Sequence, residues 1–205
     1  LSKTYKRLVF DEICANFLVL SENRKKIKKK KKNKYFKSII SNKILENLSF
    51  ELTKSQKNVL KEINVDLKSN TRMFRVIQGD VGSGKTIVSL LAIGNVIESK
   101  YQCALMAPTE ILAKQHFDLA KKIFINTKVK IEFLTGKTEI KKRKKIIDNL
   151  KDGNLNIIIG THSLFQKKIN FKNLGLLIID EQHKFGVKQR SQLAKKGGDN
   201  CDVLL

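Results

Sequence analysis

Two short stretches of this chain are apolar at every position: Ile157-Ile158-Ile159 and Leu176-Leu177-Ile178-Ile179. A strand with one face in water alternates apolar and polar side chains, so an unbroken run needs cover on both faces. The arrangement that supplies it is a parallel sheet between two layers of helices. Strands are expected over residues 73 to 78, 102 to 107, 129 to 134, 156 to 160, 175 to 180 and 202 to 205, with helices near 85 to 98, 109 to 124 and 138 to 150. Strand and helix in alternation is the pattern of an α/β fold built from right-handed crossovers. Before the first strand, Thr53-Lys54-Ser55-Gln56 reads as a capping box that opens a helix with Val59, Leu60, Ile63 and Leu67 on its apolar side.

The first 49 residues read differently. Val9, Ile13, Phe17 and Leu20 recur at helical spacing, which predicts a helix over residues 6 to 20. From Arg24 to Lys34 nine of eleven residues are basic, a self-repelling run with almost nothing to bury. It is expected to be a solvated linker or helix extension, with contact to DNA phosphates as the alternative. Residues 1–49 are thus expected to form a helical linker and residues 50–205 the main domain. The chain starts at Leu1 and stops inside the apolar run Asp202-Val203-Leu204-Leu205, so both ends are expected to be cuts in a longer protein.

Composition narrows the class. No run approaches the roughly 18 apolar residues of a membrane-spanning helix, and no secretory leader opens the chain, which makes the cytoplasm the default location. Cys14, Cys103 and Cys201 are odd in number and widely spaced, so they read as small hydrophobes rather than disulfides or zinc ligands. A formal charge of +23 points to a polyanionic partner, but only six of the 42 basic residues are Arg. That Lys skew, alongside abundant Asn and Ile, reflects an AT-rich coding sequence as much as selection for phosphate, and charge alone is weak support for nucleic-acid binding.

The chemistry is concentrated in two motifs. Gly79-Asp80-Val81-Gly82-Ser83-Gly84-Lys85-Thr86 matches G-x-x-x-x-G-K-[ST] between a predicted strand and a predicted helix, the context in which such a loop binds phosphate. Its glycines let backbone N–H groups turn inward, and the helix N-terminus adds its dipole. Lys85 is expected to reach the β- and γ-phosphates of ATP, and the Thr86 hydroxyl to hold Mg²⁺. Asp180 and Glu181 end an apolar strand where a parallel sheet presents groups to ligand. Asp180 is expected to hold Mg²⁺ through water, and Glu181 to position and deprotonate the attacking water. A GTPase would carry N-K-x-D and a transporter ATPase L-S-G-G-Q; neither occurs in the sequence.

What the energy is used for follows from resemblance. Asp180-Glu181-Gln182-His183 resembles the D-E-x-H form of the second nucleotide motif of superfamily-two helicases. The resemblance implies a coupling role for His183. Ala107-Pro108-Thr109-Glu110-Ile111-Leu112 resembles the motif in which a Thr at a helix start contacts the DNA backbone. Thr135-Gly136 and Gly160-Thr161-His162 resemble further DNA-contacting motifs. Leu52-Thr53-Lys54-Ser55-Gln56, the loop from Gly79 to Thr86, the run from Leu105 to Ala113 and the run from Asp180 to Arg190 together look like the RecG family of branched-DNA translocases. Lys184 departs from the Arg expected there and loses a planar fork of donors.

That resemblance implies a RecA-like P-loop NTPase domain, truncated at its C-terminus and cut from a second RecA-like lobe and an N-terminal wedge domain. It implies ATP and Mg²⁺ as ligands, and forked or junction DNA as partner, in repair and recombination. Gln56 would read the adenine edge, in competition with its capping role, and Phe50 would stack near the base or lie in the core. Arginine fingers from the second lobe are worth roughly 10³ to 10⁵ in rate, so the chain alone is expected to bind ATP but hydrolyse it slowly. A transcription-repair coupling translocase is the alternative, as is a nucleotide-binding DNA-binding module without turnover.

Overall fold

Successive side chains along a strand point to opposite faces, and here the two sets enter two separate cores. The computed structural model describes residues 30 to 80, 82 to 166, 168 to 181 and 198 to 205, together with Arg7 and Cys14. Its strands are β1 (Phe74–Arg75), β2 (Gln102–Met106), β3 (Ile131–Leu134), β4 (Ile157–Gly160), β5 (Leu174–Ile179) and β6 (Asp202–Leu204). They form one sheet in the order β1-β6-β5-β2-β4-β3, and every neighbouring pair is parallel. Cys103, Leu105, Ile157, Ile159, Leu176 and Ile178 face one core, while Ala104, Met106, Ile158, Leu177, Ile179 and Val203 face the other.

The first core is closed by α1 (Ile39–Glu46), α2 (Lys54–Lys68), α3 (Lys85–Glu98) and α4 (Glu110–Ile123). The second is closed by α5 (Ile140–Asp152) with Leu164 and Ile169. Helices therefore cover both faces, as the apolar runs require. The helix expected over residues 6 to 20 lies outside the described residues apart from Cys14 and Arg7, which are helical. β1 is shorter than expected because the chain turns away toward Gly79, although the Ile77 N–H still donates to the Leu205 carbonyl at 2.7 Å. No helix among the described residues is long and apolar enough to cross a membrane. Cys103 and Cys201 are free and buried, and burial pushes both thiols up, Cys201 to about 12, so both pack as small hydrophobes.

Of the basic run, residues 24 to 29 lie outside the described residues and Lys30 and Lys32 are exposed as expected, but two lysines depart from the solvated reading. Lys31 and Lys34 have fully buried side chains, and both ammonium groups lie 2.7 Å from Asp202 Oδ2. The cause is Asp202 itself, a carboxylate at the start of a buried strand that requires compensation. The Met73 N–H also donates to it, at 2.6 Å. Burial pulls the Lys31 ammonium below its usual range, against the pull of Asp202. The segment before α1 is thereby fastened to β6. Downstream of it, α1 packs against α3 at Gly94, where an added Cβ would sit 3.0 Å from Ile44 Cδ1 and 3.3 Å from the Ser41 backbone nitrogen.

Candidate nucleotide-binding site

β1 brings the chain to Gly79 and α3 takes over at Lys85. Between them Gly82 and Gly84 turn through the left-handed region, at φ of 84° and 81°. Gly84 is the N-cap of α3 and offers no side-chain acceptor to the helix, so the first N–H groups of α3 are left for a ligand. A side chain at Gly84 is strained by its φ, and its Cβ would also displace Gln56 Nε2.

Gln56 braces this loop from α2. Its backbone N–H donates to Thr53 Oγ1 at 3.2 Å and its Oε1 accepts from the Thr53 N–H at 2.9 Å, which completes the capping box. Its Nε2 donates to the Ser83 carbonyl at 2.9 Å. The amide therefore joins the helix cap to the glycine loop, a contact the sequence did not reveal. Lys85 Nζ donates to the carbonyls of Gly79 and Asp80 at 2.6 and 2.9 Å, which holds the ammonium inside the loop. Val81, an expected loop contact, lies outside the described residues.

The acidic pair arrives from β5. The Asp180 N–H donates to the Met106 carbonyl at 2.8 Å, so Asp180 is still fixed to β2 as the strand ends. Its Oδ1 accepts from the Glu181 N–H at 3.0 Å, and its Oδ2 lies 2.7 Å from His116 Nε2. The His116 bond holds the Asp180 carboxyl below the usual carboxylate range against the opposing effect of burial, and Lys85 acts in the same sense as His116. Glu181 is exposed and takes φ of 50°, in the left-handed region. His183 lies outside the described residues.

His116 was not among the expected site residues. It lies on the buried stripe of α4 with Ala113, Ala120 and Ile123. The available signal was that spacing, because an imidazole on an otherwise apolar stripe needs a hydrogen-bond partner. Gly79, Lys85, Thr86, His116, Asp180 and Glu181 all line one cavity of about 400 Å³ at the carboxyl edge of the sheet, with Leu105, Ile178 and Leu204 as its apolar floor. The loop end supplies an ammonium and helix-terminal amides suited to phosphate. The Thr86 hydroxyl and Asp180 carboxylate supply hard oxygens suited to Mg²⁺. The glycine cradle that a Cβ would fill and the ionised Asp180 both fit a magnesium nucleotide.

The expected DNA contacts occupy the other half of the same edge, in the loops after β2, β4 and β3. Thr109 is exposed and caps α4, its Oγ1 accepting from the Leu112 N–H at 3.2 Å. Thr135 is buried and its Oγ1 accepts from the Lys137 N–H at 3.3 Å, while Gly136 beside it is exposed. Thr161 is also buried, with Oγ1 3.1 Å from Ser163 Oγ, and His162 next to it is exposed. In the second and third loops the hydroxyls thus shape the turn, and Gly136 and His162 present the surface. Along α5, Lys141, Lys142, Lys144 and Lys145 are exposed, while Arg143 donates to the Thr135 carbonyl at 3.2 Å.

A family model described as DEAD/DEAH box helicase matches residues 49–200. The ATP-dependent DNA helicase RecG of Aquifex aeolicus is 43% identical over 194 residues, a match covering 94% of this chain and 24% of that protein. That of Bacillus subtilis is 48% identical over 160 residues, covering 78% of this chain and 23% of the relative. The chain thus spans about a quarter of the length of these relatives. Among solved structures, RecG bound to a three-way DNA junction superposes with a TM-score of 0.83 at 36% identity, covering 97% of this chain and 27% of that one. The DEAD-box helicase Mss116 bound to ssRNA and UDP-BeF shares the fold, with a TM-score of 0.66 at 22% identity over 82% of this chain and 38% of its own.

Proposed function

The chain belongs to the DEAD/DEAH box helicase family, and on that premise we propose that it is the ATP-binding lobe of an ATP-dependent DNA helicase or translocase acting on forked and junction DNA. The observation that carries this reading is the single cavity into which β1, α3, α4 and β5 bring Lys85, Thr86, His116, Asp180 and Glu181. Its similarity to RecG over nearly the whole chain supports branched DNA as the substrate class.

Lys85 and the N–H groups at the start of α3 grip the phosphates of ATP, and Gln56 reads the adenine edge with the one Nε2 hydrogen and one Oε1 lone pair that its bonds to Ser83 and Thr53 leave over. Thr86 and Asp180 would hold Mg²⁺, which would supply positive charge beside the phosphates when bound. Glu181 orients the attacking water and takes its proton. Thr109, Thr135, Gly136, Thr161 and His162 mark the loops that track the DNA backbone, and His183 couples them to the nucleotide. A second RecA-like lobe completes the site with arginine fingers, and a wedge domain engages the fork. A cytoplasmic setting goes with this reading.

The test is strand displacement on a forked duplex by the full-length protein, beside Lys85→Ala. Displacement that requires ATP and is lost in Lys85→Ala is the expected result. Equal displacement by both proteins, or none by the wild type, would contradict it.

A further inference from the structure

His116 lies two helical turns into α4, on a stripe otherwise filled by Ala113, Ala120 and Ile123. Packing alone favours an aliphatic residue there, because a buried imidazole costs free energy unless its ring nitrogens are bonded. The ring instead reaches the carboxyl edge of the sheet and sets Nε2 2.7 Å from Asp180 Oδ2. An ionised carboxylate has no hydrogen to give, so Nε2 carries the hydrogen and donates it. Oδ1, the other oxygen, accepts from the Glu181 N–H at 3.0 Å. One donor on each oxygen, one from α4 and one from the next residue of the chain, fixes the Asp180 rotamer, and each oxygen retains a lone pair for a further partner. Lys85 is occupied by the carbonyls of Gly79 and Asp80. His116 is therefore the side chain that orients Asp180 among the described residues.

We propose that His116 is a positioning residue for the metal-holding carboxylate: its Nε2–H fixes Asp180 toward the cavity, so the Mg²⁺ requirement of the nucleotide site is set from α4. The inference rests on the reading of the cavity as a Mg²⁺-nucleotide site. Groups that hydrogen-bond a metal-holding side chain tune metal affinity without touching the metal, and their loss acts on the metal dependence more than on the rest of the ligand. α4 also begins at the Thr109 cap, so one rigid helix carries a candidate DNA-facing residue at its start and the Asp180 donor two turns later.

The experiment follows binding of the N-methylanthraniloyl derivative of ATP to the full-length protein by fluorescence anisotropy, titrating Mg²⁺ from zero. It compares wild type with His116→Phe, His116→Gln and Lys85→Ala. Phe keeps the ring volume without a donor, whereas Gln places an N–H at nearly the reach of Nε2. His116→Phe is expected to need about 10-fold more Mg²⁺ for half-maximal tightening, with its Mg²⁺-free affinity lowered far less, and His116→Gln to recover most of the loss. Should His116→Phe fail to fold, His116→Ala is read in its place. A wild-type Mg²⁺ midpoint in the donorless variant overturns the inference, as does equal weakening with and without Mg²⁺, which a merely structural role would give. Wild type that binds the analogue no better than Lys85→Ala would remove the nucleotide-site reading itself, and the inference with it.

Discussion

Gly84 carries two constraints at one position. Its φ of 81° lies where a Cβ clashes with its own backbone, and the space a Cβ would fill belongs to Gln56 Nε2. Gly84→Ala is therefore expected to lower stability by about 1–2 kcal/mol, the cost of a non-glycine residue in the left-handed region. It is also expected to weaken nucleotide binding by pushing Gln56 off the loop; urea denaturation and analogue binding measure the two effects. At this scale the meeting of Lys85, Thr86, Asp180 and Glu181 in one cavity was legible in the sequence because each lies inside a short motif at the end of a strand or the start of a helix. The bond from His116 to Asp180 spans 64 residues and that from Lys31 to Asp202 spans 171. No local pattern encodes pairings that only the folded sheet creates, and the lysine run read as solvated for that reason.

At the scale of elements, the strands were legible because burial on both faces writes an unbroken apolar signature, and the four α-helices described after residue 50 because each has a periodic face or a cap. α1 was not foreseen as a separate helix. It has only eight residues, its N-cap Ser38 makes no side-chain cap bond, and it follows directly on the lysine run. It owes its place to tertiary contact, since the missing side chain of Gly94 lets α1 approach α3 closely. Gly94→Leu should therefore overpack this contact and destabilise the domain by about 1–3 kcal/mol, seen as a lower midpoint in urea without a change in the fold of the sheet. An unchanged midpoint would mean that α1 moves aside at no cost and contributes little to the first core.

At the scale of the whole molecule, the carboxyl edge of one sheet is divided. Loops after β1 and β5 surround the nucleotide cavity, and loops after β2, β4 and β3 form the candidate DNA surface. β5 and β2 are neighbours in that order, so the two halves meet where Asp180 bonds to Met106, and α4 lies across the same seam with Thr109 at its start and His116 further along. This juxtaposition suits the DNA-stimulated ATPase proposed above, because a change in the candidate DNA-facing loops has a short, rigid path to the carboxylate proposed to hold the metal. The most direct measurement is the steady-state ATPase rate of the full-length protein with and without forked DNA, beside Lys85→Ala. Forked DNA is predicted to raise the wild-type rate well above its DNA-free value and to leave Lys85→Ala inactive. A rate indifferent to forked DNA would contradict the account.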